Sequence, residues 1–149
     1  MMQRLDYYQY NRHAVNGLVA LGKHLSAIDK RLRALVEIRV SQINGCLYCI
    51  DLHTREARAA GETQQRLDSL PAWYEAPYFD AREKAALAWA EAVTRVAETH
   101  APDAAYETLN AHFSPAEVVD LTLIIATINA WNRIAVSFRR IPDPEPVQA

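Results

Sequence analysis

Apolar residues recur every three or four positions along most of the chain, which is the period of amphipathic α-helices. Prolines and glycines separate these periodic stretches. The pattern predicts an all-α fold, a helical bundle of about seven helices at residues 11–27, 30–44, 46–61, 64–70, 80–99, 103–112 and 114–138. A connection rich in aromatic residues, 71–79, separates the fourth helix from the fifth.

Residues at the expected helix ends agree with these boundaries. Asn44-Gly45 suits a helix C-terminus, because both residues tolerate the left-handed backbone conformation that closes a helix. Asp80 with Glu83 has the spacing of a capping box, and so does Ser114 with Glu117. Prolines recur after residue 141. We therefore expect one domain over residues 1–141 and a flexible tail over 142–149.

The composition fits a soluble globular domain. The chain has 149 residues, of which 50% are hydrophobic and 23% are charged, and its formal net charge is −2. This length suits a single domain with its own core, and the hydrophobic content excludes intrinsic disorder. The near-neutral charge argues against a nucleic-acid-binding surface.

The N-terminal sequence lacks the apolar run of a signal peptide. The most apolar stretch, 121–131, is shorter than the roughly 20 residues that a membrane span needs, and it predicts a buried core helix. We therefore expect no membrane association and a cytoplasmic location. In that compartment a close pair of cysteines is more often catalytic or metal-binding than structural.

The two cysteines, Cys46 and Cys49, lie three positions apart, a spacing that random placement gives in roughly 1% of cases. On a helix with about 100° per residue, both cysteines and His53 project from one face. Cys49 and His53 are i, i+4 neighbours, and Cys46 lies in the first turn. The three side chains are therefore expected to form one site.

This combination suits thiol redox chemistry. A helix N-terminus and a neighbouring histidine both favour the reactive thiolate, and a second thiol can close a disulfide on an oxidised first one. Two other interpretations stay open. The cysteines can be small buried core residues, or they can bind zinc with His53 and either His24 or Glu37 as a further ligand.

Other candidates lie outside this motif. Glu37 follows apolar residues of the second predicted helix, so its carboxylate is either solvated or turned toward the site to orient His53. Four further residues are candidates for lining a pocket: Tyr48, Tyr74, Trp131 and Asn132. A buried amide needs hydrogen-bond partners, so Asn132 either anchors helix ends, which we favour, or lines the cavity.

The stretch from Ala34 to His53, with Asn44-Gly45-Cys46-Leu47-Tyr48-Cys49 before the histidine, resembles the core signature of the carboxymuconolactone decarboxylase superfamily. It is most similar to the alkyl hydroperoxidase AhpD-like branch. Residues 128–133 are similar to the same branch. The resemblance implies an all-helical AhpD-like fold that assembles as trimers or hexamers, and thiol-dependent reduction of hydroperoxides.

By position, the resemblance implies that Cys49 reacts with the peroxide, that Cys46 is the resolving cysteine, and that His53 and Glu37 belong to a proton relay. The chain departs from the AhpD pattern in two places: Tyr48 replaces a histidine, and the interval from Glu37 to Cys46 is shorter. The helix N-terminus favours Cys46 as the attacking thiol, whereas the adjacent histidine favours Cys49. We assign the attack to Cys49, because a neighbouring base acts on it specifically.

We therefore predict a peroxiredoxin-type enzyme, a cytoplasmic thiol-dependent hydroperoxide reductase or dithiol oxidoreductase. Its expected partners are an organic hydroperoxide, an external dithiol reductant and further copies of the chain. This chemistry needs no cofactor and no metal. The alternative is a non-redox enzyme of the carboxymuconolactone decarboxylase type or a helical assembly module, although the decarboxylase branch lacks the cysteine pair. A metal-binding site is a lesser alternative.

Overall fold

The structure is a computed structural model that describes residues 2–148. Within this range the chain forms α-helices and one short 3₁₀ helix, Leu70–Ala72, and no strand. The α-helices are α1 Tyr7–Tyr10, α2 Arg12–Lys23, α3 Lys30–Asn44, α4 Leu47–Ala59, α5 Gln64–Ser69, α6 Ala81–Thr94, α7 Val96–Thr99, α8 Asp103–Asn110 and α9 Pro115–Phe138. The predicted all-α class is confirmed for the described residues.

The number of helices differs from the expected seven for local reasons. The short helix α1 has too few residues for a periodic signal, and Asp6 caps it by accepting a hydrogen bond from the Tyr8 N–H. The predicted helix 80–99 divides at Arg95 into α6 and α7. At that break the Thr99 hydroxyl donates to the Ala92 carbonyl over 2.6 Å, which satisfies a carbonyl that the helix end leaves free.

The predicted ends of the domain and tail, Met1 and Ala149, lie outside the described residues. Residues 140–148 form no regular secondary structure. The flexibility of the tail and the domain boundary at residue 141 stay predictions.

Helix α3 lies at the centre of the fold and packs against α4, α6 and α9. Its apolar residues face two sides: Val36 and Val40 belong to one buried cluster with α9 residues, and Leu35 and Ile38 belong to a second cluster. A helix with two buried faces fixes the relative positions of the elements on either side of it. Glu37 therefore has its position set by packing on both sides.

Helix α2 ends at Lys23, whereas the predicted helix extended to residue 27. Arg33 Nη1 donates to the carbonyls of Gly22 and Leu25 over 3.0 and 3.1 Å, which satisfies acceptors at this helix end. None of the residues of α2 is fully buried. The helix lies over one side of a cavity, to which it contributes Leu18 and Val19.

Helix α9 carries the apolar stretch 121–131 and extends it to 24 residues, which is long and apolar enough to cross a membrane by length and composition. In the fold it packs against α3, α4, α6 and α8. Leu121, Ile124 and Ile128 are at most 1% exposed. The expected core helix is confirmed, and its Asn129 and Asn132 accept hydrogen bonds from Asn44 at the end of α3.

The link between α3 and α4 depends on Gly45, which adopts a left-handed backbone with φ +67°. The Cys46 N–H then donates to the Ser41 carbonyl over 3.0 Å, and α4 begins at the next residue. This tight turn matches the helix end predicted at Asn44-Gly45. It sets the cysteine pair at the first turn of α4.

We expect Gly45→Ala to lower the free energy of unfolding by about 1 kcal/mol, because L residues are strained in the left-handed region. Gly17→Ala is the matched control, since Gly17 lies within α2 and a Cβ there meets nothing within 4 Å. The control should be neutral or stabilise by up to about 1 kcal/mol. Urea unfolding of both variants measures this, and a Gly45→Ala protein as stable as the parent contradicts the expectation.

Candidate active site

The cysteine pair forms a disulfide at the N-terminus of α4, with the Cα atoms 5.3 Å apart. Cys46 is the N-cap of the helix, and its Sγ accepts a hydrogen bond from the Cys49 N–H over 3.3 Å. Both residues are buried, at 1% and 3% exposure. The structure therefore represents the oxidised state of the dithiol, in which the sulfur of Cys46 accepts a hydrogen bond from a backbone N–H of the first turn of α4.

The cavity beside this disulfide has a volume of about 860 Å³. Cys49 is among its lining residues, whereas Cys46 is not. Much of the wall is apolar and comes from several elements: Leu18, Val19, Leu25, Ile28, Leu52 and Ile124. A space of this size and character suits a small or chain-like organic molecule with Cys49 at its surface.

His53 lines the same cavity one helical turn after Cys49. Its Nδ1 is 2.7 Å from Glu56 Oε2, and its Nε2 is 3.5 Å from Glu37 Oε2. The imidazole thus lies between two carboxylates, one from its own helix and one from α3. This arrangement orients the ring and favours its protonated form.

Glu37 is one of the few buried carboxylates and is held in place by Arg33. The Arg33 Nε donates to Glu37 Oε1 over 3.0 Å, while the other Glu37 oxygen faces His53. Of the two interpretations of Glu37 from the sequence, the structure therefore shows the one in which its carboxylate turns toward His53. Charges of opposite sign alternate along this line of side chains.

The pKa values of the three groups shift in directions that fit the geometry. Burial raises the pKa of the Glu37 carboxyl, against the opposing charges of His53 and Arg33. Burial lowers the pKa of His53, but the hydrogen bond with Glu56 and the charge of Glu37 outweigh it, so the net shift is upward. The hydrogen bond with His53 lowers the pKa of Glu56. His53 therefore keeps its proton to a higher pH than a free histidine.

Two of the four candidate pocket residues, Tyr48 and Trp131, line the cavity. The expectation for Tyr74 is wrong. Tyr74 is 64% exposed, while its neighbour Trp73 takes the buried position and donates from Nε1 to Glu91 over 2.9 Å. The aromatic connection thus contributes to the second core cluster rather than to this cavity.

Asn132 also lies outside this cavity, so it does not line the site. Its Oδ1 accepts from Asn44 Nδ2 over 2.9 Å, and its Nδ2 donates to Ser41 Oγ over 3.0 Å. The buried amide finds both partners at the end of α3, as a buried polar group requires. This is the anchoring role that the sequence favoured.

Two residues of the site were missed in the sequence. Glu56 is three positions after His53 on the same helix, and Arg33 is four positions before Glu37. These spacings bring side chains together on a helix surface. A search for partners of His53 and Glu37 at these spacings would have found both residues.

The structure also bears on the zinc alternative. The ligand atoms of Glu37, His53 and Glu56 lie within 4.8 Å of one another. The two sulfurs are bonded to each other, so in this oxidised state they are not the thiolates that zinc requires. His24 is exposed beyond the end of α2 and does not line the cavity.

The sequence profile of the carboxymuconolactone decarboxylase family matches residues 6–92, more than half of the chain. The chain belongs to this family. The matched region runs from α1 into α6 and contains Cys46, Cys49 and His53.

Individual relatives extend the match over nearly the whole chain. The uncharacterized protein YdfG of Bacillus subtilis is 41% identical over 139 residues, covering 92% of this chain and 95% of YdfG. A solved structure from Agrobacterium tumefaciens, of a protein of unknown function regarded as a candidate AhpD antioxidant defence protein, is also 41% identical. It superimposes with a TM-score of 0.92 and covers 96% of this chain and 100% of that one.

A more distant structure, of an uncharacterized peroxidase-related protein from Silicibacter sp. TM1040, has a TM-score of 0.80 at 29% identity. It covers 91% of this chain and 73% of that one. The family match and these structures support the AhpD-like branch that the cysteine motif predicted. The names of the neighbours connect the fold with antioxidant and peroxidase-related proteins.

We expect Glu56→Gln to lower the pKa of His53 in the oxidised protein, because the variant removes a charge and a charged hydrogen-bond acceptor from Nδ1. The imidazolium of His53 loses its proton as the pH rises through this pKa. In the variant this loss should therefore occur at a lower pH than in the parent protein. Glu37 and Arg33, which also face His53, stay in place. Histidine titration by NMR measures the shift.

Glu107→Gln is the control for this experiment, since Glu107 is an exposed carboxylate on α8. It should leave the titration of His53 as in the parent protein. An unchanged His53 pKa in Glu56→Gln would show that the hydrogen bond between His53 and Glu56 does not stabilise the protonated imidazole.

Proposed function

We propose that this protein is a thiol-dependent hydroperoxide reductase in which Cys49 attacks the peroxide and Cys46 resolves the product. The observation that carries the proposal is the position of Cys49. This residue borders the cavity, is bonded to Cys46, and precedes His53 by one helical turn. The family match and the names of the structural neighbours support the same class of reaction.

The reaction begins with the reduced dithiol. The Cys49 thiolate attacks the outer oxygen of the hydroperoxide, an S–O bond forms, and the O–O bond breaks. The leaving alkoxide takes a proton and departs as an alcohol, while Cys49 becomes a sulfenic acid. The Cys46 thiol then attacks this sulfur, water leaves, and the disulfide forms. One hydroperoxide and two thiols therefore give one alcohol, one water and one disulfide.

His53 stabilises the two negative charges of the first step, that of the attacking thiolate and that of the leaving alkoxide. As an imidazolium it stabilises the Cys49 thiolate, and it supplies the proton that the alkoxide takes. Glu56 and Glu37 hold the ring and favour the protonated form, and Arg33 fixes Glu37. In this proposal Glu37 is a positioning residue.

Recycling requires an external dithiol. In this proposal the dithiol reaches the disulfide through the cavity, which Cys49 lines. A thiolate that attacks the Cys49 sulfur displaces Cys46 as the leaving thiolate. The N–H of Cys49 already points at the Cys46 sulfur and stabilises that negative charge. A second thiol of the reductant then releases Cys49, which restores both protein thiols and oxidises the reductant to its disulfide.

The same proposal includes the setting of the reaction. We propose that the protein works in the cytoplasm, where thioredoxin- and glutathione-type systems keep such thiols reduced. We also propose that it assembles with further copies of itself as trimers or hexamers. Sedimentation of the purified chain tests the assembly independently of the chemistry.

We expect the reduced protein to lose both thiols when one equivalent of cumene hydroperoxide is added, with one equivalent of cumyl alcohol formed. The Cys46→Ser variant should stop at a Cys49 sulfenic acid that dimedone traps, because the resolving thiol is absent. The Cys49→Ser variant should form neither cumyl alcohol nor a sulfenic acid. Stopped-flow thiol titration and mass spectrometry measure these outcomes.

Unchanged thiols after excess organic hydroperoxide would overturn the proposal. A sulfenic acid that forms in Cys49→Ser but not in Cys46→Ser would reverse the roles of the cysteines. Full cellular activity of a Cys46→Ser/Cys49→Ser double variant would favour the non-redox alternative.

His53→Gln should slow the loss of thiols by about a hundredfold, because it removes the proton donor and the positive charge beside Cys49. His13→Gln is the matched control, since His13 is exposed on α2 and does not line the cavity. Rates of the two variants at one pH and one peroxide concentration give the comparison. Equal rates in His53→Gln and His13→Gln would exclude His53 from the reaction.

A further inference from the structure

Arg140, which lies beyond the end of α9, is one of the cationic residues that line the cavity with Cys49. The backbone leaves the helix through Arg139, which has a left-handed φ of 53°. The N–H of Arg140 donates to the Ala135 carbonyl over 2.9 Å, and the Arg140 side chain reaches the cavity.

Aromatic rings hold the Arg140 guanidinium in place. Its Cζ lies 4.2 Å from the ring centre of Tyr48 and 5.3 Å from that of Tyr8. Its Nη1 donates to the Tyr7 hydroxyl over 2.9 Å. Stacked contacts of this kind stabilise a guanidinium and leave most of its in-plane N–H groups free for an acceptor.

The charge of Arg140 is not neutralised by the protein. Among residues 2–148, no carboxylate oxygen lies within 4.0 Å of its guanidinium, whereas the similarly half-buried Arg33, Arg39 and Arg66 each pair with a glutamate. A half-buried, preorganised guanidinium without a counter-ion favours an anion, above all a carboxylate, which it can bind through two N–H groups.

Arg140 and Cys49, whose sulfur reacts in the proposed function, line the same cavity. Tyr48, on which Arg140 stacks, directly precedes Cys49, and both line the cavity. The α9 residues that line the cavity are Ile124, Thr127, Trp131 and Ala135, which are apolar except for Thr127. The carboxylates of Glu37 and Glu56 flank His53 and repel an anion there, whereas the unpaired positive charge of Arg140 attracts one.

We propose that Arg140 binds the carboxylate of the substrate, and that the substrates are hydroperoxides carrying a carboxylate on an apolar chain, such as fatty-acid hydroperoxides. The carboxylate pairs with Arg140, the chain lies along the apolar wall, and the hydroperoxide group meets Cys49. The reaction is the one already given under the proposed function. The assignment of substrate class rests on that function, whereas carboxylate binding by Arg140 does not.

The binding test uses the oxidised protein with decanoate and its neutral analogue decanamide as probes. The parent protein should bind decanoate about tenfold or more tightly than decanamide, and added salt should reduce the difference. Arg140→Gln should abolish the preference. Arg139→Gln is the matched control, since it removes the same charge one residue away, outside the cavity lining.

The kinetic test compares linoleic acid 13-hydroperoxide with its methyl ester. The ratio of their kcat/KM values should be about tenfold or more in favour of the acid, and it should fall to about one in Arg140→Gln. Arg140→Lys, which keeps the charge without the planar fork, should retain part of the preference. Because each variant provides its own ratio, a general loss of activity does not imitate the effect.

Several results would overturn the proposal. One is a parent protein that shows no preference for decanoate or for the free acid, whether or not Arg140→Gln folds. Another is a preference that survives in Arg140→Gln but disappears in Lys23→Gln or Lys30→Gln, which would assign the anion to one of the two exposed lysines among the lining residues.

The two proposals fail differently. If acid and ester are reduced at equal rates, the reductase function stands and the role of Arg140 is wrong. If no hydroperoxide is reduced but decanoate still binds through Arg140, the site binds carboxylates and the reductase function is wrong.

Discussion

The packing of α3 against α4 is the contact on which the site depends. Both helices are joined by the tight turn at Gly45, and α3 is fixed from its other sides by α6 and α9. This packing sets Glu37 of α3 opposite His53 of α4, at 3.5 Å between Oε2 and Nε2. Because both side chains are nearly buried, their charges act through little solvent and shift each other's pKa.

The cavity lining contains two differently charged groups of side chains. Around His53, cations and carboxylates alternate from Arg33 through Glu37 and His53 to Glu56, so each charge has a partner. Arg140, in contrast, is held by rings and by a hydroxyl, which leave its positive charge uncompensated. In the proposed function the first arrangement serves proton transfer beside Cys49, and in the proposed substrate recognition the second selects an anionic group.

The helices and the cysteine–histidine face were predictable because their signals are local. The capping boxes at Asp80 and Ser114 and the helix end at Gly45 involve residues at most a few positions apart. The division of 80–99 at Arg95 was not visible in the periodicity, since it depends on the Thr99 hydroxyl taking a carbonyl of the preceding helix. Tyr74 was misplaced because composition does not tell which of two neighbouring aromatic residues is buried.

The sequence by itself determined the helical class, the dithiol at a helix N-terminus and the histidine one turn further. Each follows from the fixed rotation per residue of an α-helix. Only the tertiary structure decided that Glu37 faces His53 and that Arg140 reaches the cavity. The bond between Arg140 and Tyr7 joins residues 133 positions apart. Such a contact leaves no periodic trace in the chain, because it arises from how α1, α4 and α9 pack rather than from any local pattern.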